Sequence, residues 1–175
     1  ELQSTVVRGR KEYLSASVQQ GRCKNAQAIN DASVARVNCF KLLGVHFSAD
    51  LNWKQHDDFM LDKVAKRIYY IYLLTRAGVN SNHVVEVYCS IIRSVLEYAS
   101  PVWHPGLTKT QSKSIECIQK RCLRVIYPDL NYKEALFVSG LLRLSERREI
   151  SARDLFNQIK RPDHTLHYLL TPRIS

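Results

Sequence analysis

The chain has 175 residues, with 26 Lys and Arg against 16 Asp and Glu, a formal charge of +10 and 45% hydrophobic residues. That length suits one domain, or one domain with an appendage, and the apolar fraction is enough to build a core. No apolar run approaches the roughly 18 residues that a membrane-spanning helix needs, and no signal peptide is visible, so no membrane role is expected.

The cationic excess favours an anionic partner, nucleic acid before a membrane surface. Cys23, Cys39, Cys89, Cys117 and Cys122 are odd in number, irregularly spaced and without a Cys-x-x-Cys pair. A disulfide framework or zinc knuckle is therefore not expected. Reduced thiols in an intracellular protein, nuclear or cytoplasmic, fit better. The chain begins at Glu1 rather than Met, so a fragment or a processed product is expected.

Residues 1–50 read as a β-rich lead segment. Thr5-Val6-Val7 is a short strand candidate, followed by the basic Arg8, Arg10 and Lys11. Residues 14–25 are polar and read as loop. Ile29, then Asn30-Asp31, then Val34 and Val37 read as a hairpin. The run Phe40 to Val45 reads as a further strand. Gly44 inside it fits a bulge, a close backbone approach or a plain hairpin turn.

Residues 51–127 read as a helical bundle. Asn52-x-x-Gln55 has the form of a capping box, and Asp57 and Asp58 suit the positive end of the helix it would open. Met60, Leu61, Val64, Ile68, Ile71 and Tyr72 make the expected inner face. Lys63, Lys66 and Tyr70, with Arg67 beside them, make a basic face carrying an aromatic. That pattern suits a nucleic-acid backbone and equally suits an ordinary solvated helix. Gly78 is the expected stop.

The central helix is expected over Asn82 to about Ser100. Val84, Tyr88, Ile91, Ile92, Val95 and Ala99 cover most of its girth, as in a buried hub. Pro101 is expected to end it, with Val102, Trp103 and His104 leaving the helix and Pro105-Gly106 turning the chain. Thr108-x-x-Gln111 then caps a helix to about Ile126. On it Ile115, Ile118, Cys122 and Val125 share one face. Lys113, Lys120 and Arg124 fall within about 40° of each other opposite, flanked by Arg121.

Residues 128–175 read as a C-terminal helical appendage and tail. Asn131-x-x-Glu134 opens a short helix that Gly140 stops. Ser145 is expected to cap a last helix to about Lys160, before Pro162. His164 and His167 fall in a tail expected to be loosely ordered. The fold class is mainly α, a helical bundle preceded by a short β-hairpin.

No Gly-rich phosphate loop, nucleophile elbow or His-Glu-x-x-His occurs. Asp57-Asp58 lacks partner ligands, and no catalytic or metal residue is assigned. A nuclease or hydrolase reading would need a metal-dependent activity abolished by substituting Asp57 or Asp58.

Several runs together resemble the C-terminal part of the reverse transcriptase of non-LTR (LINE-type) retrotransposons, jockey-like and CR1-like elements in particular. They are Phe40-Lys41-Leu42-Leu43-Gly44-Val45 with Ser48, Leu51, Trp53 and His56; Ser90-Ile91-Ile92-Arg93; Leu96-Glu97-Tyr98-Ala99; and Pro101-Val102-Trp103-His104. Ile118-Gln119-Lys120-Arg121, Glu134-Ala135-Leu136, Gly140-Leu141 and Glu146-Arg147-Arg148 follow in the same order. The match spans most of the chain. Asp31 departs from it where the family turns on glycine, Ser94 where proline is common, and Glu12 to Ala28 throughout.

The resemblance implies a polymerase-thumb-like bundle after the end of a palm. Leu43 and Gly44 would form a primer-grip-like turn. Lys63, Lys66, Arg67, Lys113, Lys120, Arg121 and Arg124 would contact the phosphates of an RNA–DNA hybrid or duplex DNA. The parent enzyme would be an RNA-directed DNA polymerase using two magnesium ions. Its aromatic-Ala-Asp-Asp motif, in palm and fingers domains upstream, is not in this sequence, so this chain alone is expected neither to polymerise nor to hold a cofactor. The competing reading is a non-catalytic helical adaptor or decayed relic whose basic faces serve solubility.

Overall fold

The computed structural model describes residues 27–29, 32–34 and 37–170. Thr5 to Val7, the basic run after them, residues 14–25 and residues 171–175 lie outside these. The chain divides into two compact units, Glu1–Phe40 and Lys41–Ser175.

In the first unit, β1 (Gln27–Ile29) and β2 (Ala32–Val34) pair antiparallel, with Ile29 opposite Ala32. The expected hairpin therefore forms, with Asn30-Asp31 between its strands. A second two-stranded sheet joins β3 (Cys39–Leu42) to β4 (Val45–Ser48). The single strand expected over Phe40 to Val45 is thus broken in two. Leu43 and Gly44 both have positive φ, 47° and 84°, the pattern of a two-residue hairpin turn whose twist matches its strands.

Helix α1 (Lys54–Arg76) starts two residues later than expected, and the Asn52–Gln55 capping box does not form. Chain entry is organised differently. Ser48 Oγ donates to the Asn52 carbonyl at 2.7 Å, and the Asn52 side chain accepts from the Lys54 amide at 2.9 Å. Trp53 is buried at the helix start, so close to Gly106 that a Cβ there would lie 2.2 Å from the indole nitrogen. Met60, Val64, Ile68 and Ile71 face inward as expected. Tyr72, expected with them, lies at the rim of that face and is exposed. At the far end Gly78 closes the helix in a left-handed conformation, its amide bonding Thr75 O and that of Val79 bonding Leu74 O.

The hub is not one regular helix. Asn80 caps α2 (Ser81–Val87), a π-helical segment follows at Tyr88–Arg93, and α3 (Ser94–Leu96) completes it. Val84, Tyr88, Ile92 and Leu96 are all buried at four-residue steps. In an α-helix such a step overshoots a full turn by about 40°. The wider π turn absorbs the overshoot and keeps all four facing inward.

The hub ends at Leu96, short of the expected Ser100. Ala99 adopts left-handed φ 51°, ψ 27°, and Pro101 sits in the first turn of a new helix, α4 (Ser100–Trp103). Proline is well tolerated there because first-turn amides have no intrahelical partner. Val102 and Trp103 are therefore helical, and Trp103 is fully buried.

Both later capping boxes form as read. Thr108 and Gln111 cap α5 (Lys109–Ile126), and Asn131 and Glu134 cap α6 (Tyr132–Ser139), which Gly140 ends at φ 64°. Helix α7 (Leu144–Ile159) begins one residue before Ser145, with Arg143 at the N-cap and no side-chain cap. Instead the Ser145 amide is met by Glu116 Oε2 of α5 at 3.4 Å.

Ala135 of α6 and Leu144 of α7 belong to the same core as α1, α2 and α5. Beyond α7, His167 Nδ1 lies 3.1 Å from Ile159 O, and His164 Nδ1 accepts from the Leu166 amide. Cys39, Cys89, Cys117 and Cys122 are free thiols. Among the described residues no helix is long and apolar enough to cross a membrane.

Candidate nucleic-acid interface

Helix α5 has two opposed faces. Ile115, Gln119, Cys122, Leu123 and Ile126 are buried, while Lys113, Lys120, Arg121 and Arg124 are exposed. The expected inner face was turned slightly away, through Ile118 and Val125, which are only partly buried. Gln119 is the reason. Its side chain is fully buried yet satisfied, accepting from Tyr88 Oη at 2.7 Å and donating to Tyr132 Oη at 3.1 Å and Leu142 O at 3.0 Å. Lys120 lies over the Tyr132 ring at 5.2 Å, and Tyr132 donates a short hydrogen bond to Glu116.

Lys63, Lys66 and Arg67 meet on α1, where with Phe59, Asp62 and Tyr70 they line an open depression of about 490 Å³. Arg67 is partly committed, since its Nη1 donates to Ile91 O at 2.5 Å. That carbonyl belongs to the π-helical segment. The seven expected cations thus fall into two groups, three on α1 and four on α5.

The Leu43-Gly44 turn is fixed from the helical side. Tyr98 Oη donates to Leu43 O at 2.8 Å. The same ring lies under Gly44, where a Cβ would approach Tyr98 Cε1 to 3.3 Å. Leu43 itself is 83% exposed at the tip. Trp103 Nε1 donates to Tyr98 O at 2.8 Å. Glu97 accepts two bonds from Arg147, at 2.5 and 3.1 Å, and has Arg93 at 3.9 Å. Arg148 is fully buried, 5.8 Å from the Trp103 ring centre, and its Nη2 donates to Ser112 Oγ. Sequence reading assigned no role to Glu97, Tyr98, Arg147 or Arg148.

Asp57 and Asp58 have different surroundings. Asp58 is exposed and bonded to Lys54 at 2.9 Å. Asp57 is buried, and burial raises its carboxyl to about 6, with the Asp58 charge adding to the rise and Arg148 opposing it. His56, which accepts from the His46 amide at 3.5 Å, is held below the usual imidazole range by burial, as are His46 and His104. Among the described residues no group of three or more His, Cys, Asp or Glu could hold a metal ion.

No protein-family model, curated protein or solved structure matches the chain.

Proposed function

We propose that this chain is the palm-end and thumb part of a non-LTR retrotransposon reverse transcriptase, and that it holds the template–primer duplex. The carrying observation is the hydrogen bond between Tyr98 and Leu43. Two separate runs that resemble the family, Phe40 to Val45 and Leu96 to Ala99, meet there. A turn that grips a primer end needs a rigid mount, and Tyr98 supplies one. The exposed cations of α5 supply a face for duplex phosphates, which give affinity without sequence preference. The chain would bind an RNA–DNA hybrid or duplex DNA and contribute no metal-bound chemistry of its own.

The test is binding of the purified chain to an RNA–DNA hybrid across a salt series, beside a Lys113→Glu, Lys120→Glu, Arg124→Glu variant of unchanged helicity. The expected result is affinity that falls by roughly 0.9 log units per log unit of salt for each phosphate contact, and that the variant loses. Absence of binding at low salt, or equal binding by the variant, would overturn the reading and leave a helical adaptor or relic.

A further inference from the structure

The two cationic groups differ in chemistry. On α5 no aromatic ring is among the exposed residues, and the nearby Tyr132 ring is covered by Lys120 with its hydroxyl engaged by Glu116. On α1 the three cations are flanked by a ring at each end. Phe59, Lys63, Lys66, Arg67 and Tyr70 follow one another at helical spacing along a stripe about 16 Å long at 1.5 Å rise per residue. Tyr70 is 55% exposed, with Tyr69 tilted 60° to it at 6.3 Å. Phe59 closes the other end, braced by Lys41 Nζ at 4.6 Å and the His46 ring at 4.6 Å. The depression between them carries three cations and one carboxylate, Asp62.

A duplex has no use for exposed rings, because its base faces are hidden in the stack. Unpaired bases do, and aromatic platforms beside a cationic track are how single strands are held. We propose that this depression on α1 binds unpaired nucleotides of a single strand, with a base stacked on Tyr70 and phosphates on Lys63 and Lys66. Arg67, anchored by Ile91 O, presents its remaining donors at a fixed position. Asp62 offers an acceptor for base amino groups. The inference deepens the reading above and rests on the chain being a nucleic-acid binder. It would let one module hold a duplex on α5 and the unpaired strand beside it on α1.

The experiment measures fluorescence anisotropy of a labelled single-stranded oligonucleotide, in DNA and RNA forms, and of an RNA–DNA hybrid. The native chain is compared with Tyr70→Ala and with the α5 triple variant, after circular dichroism shows equal helicity. The expected result is that Tyr70→Ala binds the single strand about tenfold more weakly and the hybrid unchanged, with tyrosine emission of the native chain quenched by the single strand. The α5 variant should lose the hybrid and keep the single strand. Hybrid binding without single-strand binding, or single-strand affinity untouched by Tyr70→Ala, would overturn this proposal alone. Single-strand binding without hybrid binding would overturn the duplex-grip reading and leave this one standing.

Discussion

The Tyr98 hydroxyl donates to the Leu43 carbonyl at 2.8 Å across 55 positions of sequence, and it ties a strained hairpin tip to the helical body. Leu43 is a non-glycine residue in left-handed backbone, which costs roughly 1–2 kcal/mol. Tyr98→Phe removes the bond and keeps the ring. Because Tyr98 is half-exposed, the expected loss is small, about 0.5–1 kcal/mol. Amide hydrogen exchange should quicken at the β3–β4 turn while the α5 amides keep their protection. Unchanged exchange at the turn would show that Tyr98 does not hold it.

Two glycines separate steric from conformational demand. At Gly106 a Cβ would fall 2.2 Å from the buried Trp53 indole nitrogen. Gly106→Ala must therefore displace Trp53 or the backbone, at a cost of about 1–3 kcal/mol or more. At Gly78 nothing lies within 4 Å, and only φ of +73° opposes a side chain. Gly78→Ala should cost about 1 kcal/mol and leave the tryptophan environment alone. Urea unfolding followed by tryptophan emission distinguishes them: a red-shifted native spectrum is expected for Gly106→Ala only.

Glu97 is the acceptor between two guanidinium groups, Arg147 and Arg93. Its side chain and those of both arginines are largely shielded, and hydrogen bonds to charged groups contribute about 1.5–3 kcal/mol. Glu97→Gln leaves the two cations facing each other without a counter-charge, so a loss in that range is expected. Arg147→Lys keeps the charge and loses the two-pronged geometry, and should fall between native and Glu97→Gln. Thermal melts that rank the three otherwise would show that this pair does not fasten α7 to the end of the hub.

Asp57 predicts a pH signature. Burial raises its carboxyl from the ordinary 3.8 to about 6 in the folded chain. Between those values the folded state keeps a proton that the unfolded state has lost. Stability from this group is full below about pH 4 and falls as pH rises through 6, by up to about 3 kcal/mol at 1.36 kcal/mol per unit. The depressed histidines His46, His56 and His104 act oppositely, since unfolding lets them gain protons below their ordinary 6.5. The difference between native and Asp57→Asn isolates the carboxyl, because both share those histidines. The native chain should lose melting temperature relative to Asp57→Asn as pH rises from 4 to 7. A constant difference would place the Asp57 carboxyl at its ordinary value.

The parts of the fold readable from the chain were those governed by neighbours. Helix α5 was legible from end to end because Thr108 and Gln111 satisfy its first amides locally, and because Ile115 and Cys122 recur at the helical period opposite Lys113, Lys120 and Arg124. The Asn131–Glu134 cap and the stops at Gly78 and Gly140 follow from the same short-range bonds. The mainly helical class with a leading hairpin needed no more than this.

What needed the folded chain was decided by partners far away in sequence. The break after Leu96 depends on Trp103 reaching back to Tyr98 O while seated under Arg148, and Pro101 is compatible with either ending a helix or starting one. The late start of α1 depends on where Trp53 packs against Gly106. The inner face of α5 depends on Tyr88, Tyr132 and Leu142 satisfying Gln119, which by type alone reads as an outer residue. Above all, the chain reads as a strand from Phe40 to Val45 and a helix running past Tyr98, with no sign that Tyr98 meets a turn at Leu43-Gly44. Short-range bonding sets where elements begin and end; burial of polar groups, which is favourable only when a distant partner satisfies them, sets which elements meet.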